Sequence, residues 1–167
     1  MIEKHIDFLN QEIEQLDEQI DEHIDHHPGL KKDAELLESI PGIGPLTAAI
    51  LMAEIKDIDA FDSASELVSY AGLSPQKRQS GTSVRGRSRL SKIGNATLRK
   101  ALFFPSMSAR QHNPIVKTFS ERLSARGKQT MVIQGAAMRK LLHLVYGVWK
   151  NGRPFDPAYE MHLSVNT

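Results

Sequence analysis

Residues 128–150 read KQTMVIQGAAMRKLLHLVYGVWK. Met131, Val132, Ala136, Ala137, Leu141, Leu142, Leu144, Val145, Val148 and Trp149 place apolar groups on more than one side of a 3.6-residue period. A helix apolar on several sides must be covered by neighbours, so the stretch predicts a central core helix with other elements packed around it. Strand-period patterning is confined to a short hairpin at residues 79–91, and the predicted fold class is all-α.

Outward from that helix, the chain divides at recognisable starts and stops. A helix begins near Pro114, runs through Val116, Phe119 and Leu123, and ends at residues 124–127, Ser-Ala-Arg-Gly. Before it, Gly94-Asn95 supplies an N-cap for a helix through Leu98, Leu102 and Phe103, which Pro105 is expected to kink or end. Ser63-Ala64-Ser65-Glu66 has the capping-box pattern and opens a helix through Leu67, Val68 and Tyr70, with Gly72 and Pro75 marking its exit.

Residues 40–51, IPGIGPLTAAIL, join two further helices through a tight turn. The pattern is similar to the helix-hairpin-helix motif of DNA-binding proteins. Gly42 and Gly44 permit the turn and leave backbone N–H groups open. The following helix adds the positive end of its dipole, so a phosphate can dock there without its sequence being read. A hairpin that merely ties two helices is the alternative, and Lys56 is the only base nearby.

At the N-terminus, Ile2, Ile6, Leu9, Ile13, Leu16 and Ile20 follow spacings of 4, 3, 4, 3 and 4, with Asp and Glu filling most positions between. This is an a/d seam and predicts one strand of a coiled coil, which would make the protein a homo-oligomer. An amphipathic helix lying on its own domain is the alternative. His23, His26 and His27 follow, at a spacing usable by a metal, although a helix C-terminus attracts His by its dipole alone. The expected division is therefore a connector helix at 1–29, a helical domain at 30–157 and a tail at 158–167.

Charge is divided as sharply as structure. Residues 1–39 carry twelve acids and three bases, and residues 40–167 carry eighteen bases and eight acids, giving an acidic arm on a basic body within a total of +1. The chain's 167 residues suffice for a real core and contain no cysteine, which excludes disulfides and thiolate metal sites. With no apolar run of about 20 residues and no signal-peptide pattern, a soluble, cytoplasmic protein without membrane contact is expected.

The basic charge concentrates in residues 70–100, YAGLSPQKRQSGTSVRGRSRLSKIGNATLRK. Lys77, Arg78, Arg85, Arg87, Arg89, Lys92, Arg99 and Lys100 lie there without a single carboxylate, and the acid-free window extends from Glu66 to Glu121. Such a segment needs a polyanion to neutralise it, and nucleic acid fits best. The candidate contacts are these eight bases together with Asn95 at the helix cap and the hairpin's Gly42 and Gly44.

Five hydroxyl side chains stand between Ser80 and Ser91, so phosphoryl transfer is also open. A serine attacking a phosphodiester needs a base, an in-line approach and cations on the crowded phosphorane oxygens. Arg78, Arg85, Arg87 and Arg89 suit the last role because guanidinium matches phosphate geometry. No carboxylate is at hand for the first, and spacing does not choose among Ser80, Ser83, Ser88 and Ser91.

Taken in order, IPGIGPLTAAILMAEI, then SYAGLSPQKRQSGTSVRGRSRLSKIGNATLRKAL, then Asn113-Pro114 and a final YGVWKNGRPFDP resemble the C-terminal transposase domain of the IS-one-ten (Piv/MooV-like) DEDD insertion-sequence recombinases. The likeness runs from about Leu37 to Pro157, and the preceding helix is similar to that family's coiled-coil connector. The resemblance implies DNA recombination with a serine nucleophile that links covalently to DNA. It also implies a structured guide RNA and four metal-binding acids on a separate RuvC-like domain. It sets the nucleophile at the Ser-Gly pair, Ser80-Gly81, with Ser91 in reserve. A divalent metal is then expected on the acidic domain and no cofactor in this chain. Because the sequence starts in mid-connector, it reads as a piece of a larger protein, expected to bind nucleic acid but not to cut alone. A non-catalytic helix-hairpin-helix binding module and a dimerisation module are the alternatives.

Overall fold

The computed structural model describes residues 1–76, 79–80, 84–85, 89–91 and 93–158. Eight α-helices account for most of them: α1 (Ile2–Asp25), α2 (Pro28–Glu38), α3 (Pro45–Ile55), α4 (Ala64–Tyr70), α5 (Ala96–Ala101), α6 (Phe103–His112), α7 (Pro114–Ala125) and α8 (Thr130–Asn151). A single 3-10 turn occupies Ile58–Ala60. The class is all-α, as the sequence predicts. Among the described residues the only strands are four of two residues each, β1 (Pro75–Gln76), β2 (Gln79–Ser80), β3 (Val84–Arg85) and β4 (Arg89–Leu90).

Helix α8 is the hub. Ile133, Ala137, Met138, Leu141, Leu142, Val145 and Trp149 are buried along it, and α2, α4, α6 and α7 all pack against it. Leu37, Leu51, Leu67, Leu98 and Val116 bring each neighbouring helix into the same core. Each such side chain contributes about 1.5–3 kcal/mol by leaving water. One polar cluster lies inside this shell. Gln134 donates through Nε2 to the Ser106 hydroxyl at 2.6 Å and to the Phe103 carbonyl at 2.9 Å, and its Oε1 accepts from Arg110 at 3.1 Å. These bonds join α8 to α6 at a fixed rotation, which apolar contacts alone would not impose.

Caps set most boundaries. The Ser63 hydroxyl accepts from Glu66 N at 3.2 Å, but Glu66 reaches back to Asp62 N at 2.8 Å rather than to the capping residue, so the box is closed one position early. Asn95 caps α5 by accepting from Leu98 N at 2.9 Å. Asn113 caps α7 twice, from Ile115 N and Val116 N, and is fully buried. Pro105 interrupts the helical run through Leu98, Leu102 and Phe103, as expected, but ahead of its own position. The break comes at Leu102, and Pro105 stands in the first turn of α6. Its ring would clash with the carbonyl of residue 101 in a continuous helix, so the chain breaks ahead of the proline.

Helix α1 departs from this packing. None of its residues is buried, and Ile2, Ile6, Leu9, Ile13 and Leu16 are 45–78% exposed. The helix does not lie along its own domain. Ile20 and Ile24, half-buried, meet the body near α2, and with Leu16 they line a groove against Leu46 and Ile50 of α3. At 1.5 Å per residue its 24 residues reach about 36 Å. Its last turn is closed by histidine: the Nδ1 atoms of His26 and His27 lie 2.6 and 2.7 Å from the carbonyl oxygens of Glu22 and His23.

Candidate nucleic-acid interface

Within the basic segment the described residues form two short antiparallel strand pairs, here called the ribbon. Pro75 pairs with Leu90 and Gln76 with Arg89. Further out, Gln79 pairs with Arg85 and Ser80 with Val84. Arg89 thus belongs to the first strand pair, and Ser80 and Arg85 to the second. Lys77, Arg78, Gly81, Ser83, Arg87, Ser88 and Lys92 lie outside the described residues.

The root of the ribbon is tightly specified. Gly94 has φ +135°, and a Cβ there would run into the Tyr70 carbonyl oxygen. Gly72, at φ +69°, ends α4 with the Arg99 guanidinium and the Ile93 carbonyl close above it. Neither position accepts another residue without strain. Backbone bonds from Asn95 N to Tyr70 O (2.7 Å) and from Ser91 N to Ser74 O (2.9 Å) join the two legs. On the far side, Leu90 rests on α8 at Gly135, where a Cβ would come 3.3 Å from Leu90 Cδ1.

Three of the candidate contacts are placed here. The Asn95 side chain turns inward: besides capping α5, its Nδ2 donates to Glu54 Oε2 at 2.6 Å and to the Tyr70 hydroxyl at 3.3 Å. Arg99 is half-buried and donates to the Ala71 carbonyl at 3.1 Å. These two side chains hold the root in shape. Lys100, on the same helix, is exposed. Ser91 stands at the root, its hydroxyl 3.5 Å from the Ile93 carbonyl. Glu54 was not visible as part of this site in the sequence, being 41 residues from Asn95 in the chain. It sets a carboxylate at the foot of an otherwise acid-free segment.

The two hairpin glycines have different surroundings. Gly42, at φ +109°, sits against α6, and a Cβ would come within 2.8–2.9 Å of Ala109 Cβ, Ala109 N and Pro105 O. The turn is closed by Ile43 N to Ile40 O at 2.9 Å and tied to α7 by Asn113 Nδ2 donating to Pro41 O at 3.3 Å. Gly42 thus serves close packing of backbone on backbone. Gly44 is exposed, is the N-cap of α3 without a side-chain cap, and has open space where a Cβ would be. If the hairpin meets a phosphate, Gly44 and the first turn of α3 are the accessible part.

Among the described residues no group of three or more His, Asp or Glu is arranged to hold a metal ion, and none of the helices is long and apolar enough to cross a membrane.

An all-α body with a clamped basic ribbon is the frame that comparison with known proteins fills in. Residues 34–121 match the family model described as Transposase IS116/IS110/IS902 family. The chain belongs to that family of insertion-element transposases. It is 40% identical over 148 residues to the pilin gene-inverting protein of Moraxella bovis, covering 88% of this chain and 46% of that protein. It is 31% identical over 121 residues to an uncharacterized 43.6 kDa protein of insertion element IS110 from Streptomyces coelicolor, covering 72% and 30%. A transposase for insertion sequence element IS1111A from Coxiella burnetii is 34% identical over 83 residues, covering 48% and 22%. The chain spans about half the length, or less, of these relatives.

Proposed function

We propose that this chain is the nucleic-acid-binding and nucleophile-bearing part of an insertion-element recombinase. The observation that supports this most directly is the pairing of a segment dense in arginine and free of acid with a root held by glycines and inward-facing polar side chains. Charge of that density calls for a polyanion, and a phosphodiester backbone supplies one. The relatives are named for transposition and for inversion of a gene, which are rearrangements of DNA.

Ser80 is the proposed nucleophile. Its Oγ attacks a backbone phosphorus and loses its proton to a base. One P–O ester bond breaks, the departing oxygen leaves as a hydroxyl, and the serine keeps the phosphate. The ribbon arginines balance the charge that builds on the phosphorane oxygens. The base and any metal come from an acidic domain acting with this chain, and a structured guide RNA is the proposed second nucleic-acid partner. Helix α1 pairs with another copy through its uncovered seam. Gly44 and the α3 N-terminus supply a further phosphate contact in helix-hairpin-helix fashion.

The binding half is tested by salt. If about six ribbon bases meet phosphates, log K falls against log salt with a slope near −5 on duplex DNA. Replacing Arg85, Arg87 and Arg89 with Ala flattens it by about 2–3. An unchanged slope removes the ribbon from the interface. The chemical half is tested by trapping a covalent protein–DNA adduct under denaturing conditions, with the acidic domain and RNA supplied. Ser80→Ala abolishes the adduct and leaves binding within a few fold, while Ser91→Ala retains it. The reverse pattern moves the nucleophile to Ser91.

A further inference from the structure

Helix α6 carries an aromatic ring that its own fold leaves uncovered. Phe104 is 75% exposed, although phenylalanine is among the residues that folding most often buries. Its ring stands edge-to-face with the half-buried Phe103, the centroids 5.4 Å apart, so a neighbour steadies it while most of it stays in solvent. Four positions back, across the turn at Leu102, lies the exposed Lys100, which forms no salt bridge among the described residues. Leu102 keeps right-handed helical dihedrals, and Ser106 N bonds to Leu102 O at 3.0 Å, so the two side chains share one side of the run from α5 into α6. Three and seven positions past Phe104, Met107 and Gln111 are also exposed and continue that side. They line a hollow between α6 and α7, together with Arg110, Lys117 and Glu121. Helices α5 and α6 themselves hold Arg99, Lys100 and Arg110 and no carboxylate.

We infer that this side of α5 and α6 receives an unpaired stretch of nucleic acid, with a phosphate at Lys100, a base stacked on Phe104 and the base edge toward the hollow beyond Met107. This rests on the reading of the basic segment as a nucleic-acid interface and adds to it a contact with bases. The Asn95 side chain that fastens the root of that segment also starts α5, so Phe104 follows the root by about 14 Å of helix. The ring stands inside the acid-free window from Glu66 to Glu121, where a polyanion is the complementary partner. An apolar protein surface would gain from Phe104 and Met107 but nothing from Lys100. A single strand uses both together, because every base offers a face to the ring while its phosphate takes the cation. A duplex keeps its base faces stacked on one another and does not cover the ring in this way, which singles out an unpaired strand. Glu121 sets the direction. It repels phosphate from the hollow and accepts N–H groups of a base edge, so the backbone lies toward Lys100 and the bases toward Met107 and Gln111.

The test uses the 167-residue chain with three mixed-sequence probes of equal length, single-stranded DNA, single-stranded RNA and duplex DNA. Phe104→Ala weakens single-strand binding by about 5–150-fold, the range of one base–aromatic stack, and leaves the salt slope and the duplex affinity unchanged. The strand that responds more, DNA or RNA, names the source of the unpaired stretch. Phe104→Trp keeps a flat ring and binds within a few fold of wild type. Phe104→Leu, apolar but not flat, falls with the alanine variant. Lys100→Gln behaves in the opposite sense and flattens the single-strand slope by about 0.7. A strand of the same length without bases binds wild type and Phe104→Ala alike. Because the ring is exposed, the variants are expected to melt with the wild type. If Phe104→Ala binds both single strands as wild type does, while replacing Arg85, Arg87 and Arg89 still flattens the slope, the stack is wrong and the ribbon reading stands. A changed sedimentation coefficient in Phe104→Ala with unchanged strand affinity assigns the ring to a protein contact and likewise overturns the stack. A wild-type chain that binds none of the probes overturns both readings.

Discussion

Asn95 and Glu54 meet at 2.6 Å, the amide Nδ2 donating to carboxylate Oε2, although 41 residues separate them in the chain. The same amide group accepts from Leu98 N through Oδ1, so one side chain starts α5 and fastens it to the end of α3. The root of the basic segment is thereby joined to the C-terminal end of α3, the helix that follows the hairpin.

Replacing Asn95 with Ala removes the cap, at about 0.5–2 kcal/mol, and leaves a half-buried carboxylate without its donor, adding about 1–3 kcal/mol. Urea unfolding reads the sum as a lower midpoint. Asn95→Asp keeps the cap oxygen but faces Glu54 with a like charge, and it is expected to fall between the two. If Asn95→Ala matches wild type, the bond does not stabilise the root.

The hairpin glycines separate packing from binding. Gly42→Ala puts a Cβ at positive φ and within 3 Å of α6 backbone, so it destabilises by about 2 kcal/mol or more. Gly44→Ala meets nothing and has φ −104°, open to any residue, so stability changes by less than about 1 kcal/mol. Any loss of duplex affinity in Gly44→Ala with an unchanged melting temperature assigns the accessible end of the hairpin to binding. Equal loss of stability in both variants contradicts the division of roles.

What the sequence displayed here was whatever is local. The multi-faced apolar run of α8, the Pro114 start of α7 and the caps at Ser63 and Asn95 all depend on residues within a turn or two, and the helices stand where those signals put them. The break falls at Leu102 rather than at Pro105 because a proline marks a boundary only to within a turn: it forbids the bond behind it, not the helix ahead. The long-range half of the site was hidden. Nothing in IPGIGP says that Gly42 will meet Ala109, and nothing near Asn95 points to Glu54. Arg99 read as a surface cation like its neighbour Lys100, yet its guanidinium is drawn to the Ala71 carbonyl at the end of α4.

Helix α1 bears its apolar seam without cover, and Leu16, Ile20 and Ile24 continue it into an apolar groove lined also by Leu30, Leu46 and Ile50. Self-association should therefore depend on the seam. Leu9→Asp with Leu16→Asp puts charges where pairing would bury them, at a cost on the order of several kcal/mol if the pairing were kept. The double variant is expected to sediment as a monomer and the wild type as a larger species. A wild type already monomeric at high concentration would sink this expectation for the chain as it stands.

His143 reports on the outward side of α8. Its pKa lies below the ordinary 6.5, chiefly because burial penalises the charged ring and further because Arg139 and Lys140 repel it. The fold therefore favours neutral His143. The unfolded chain takes up a proton near 6.5 while the folded one does not, so stability from this group is full above that pH and declines as pH falls toward the folded value. Arg139→Gln removes the larger of the two repulsions, so the pKa rises toward 6.5 without reaching it, because burial remains. A titration of the His143 ring by NMR reads the shift directly. A ring whose titration is unmoved by Arg139→Gln contradicts the repulsion assigned to that guanidinium.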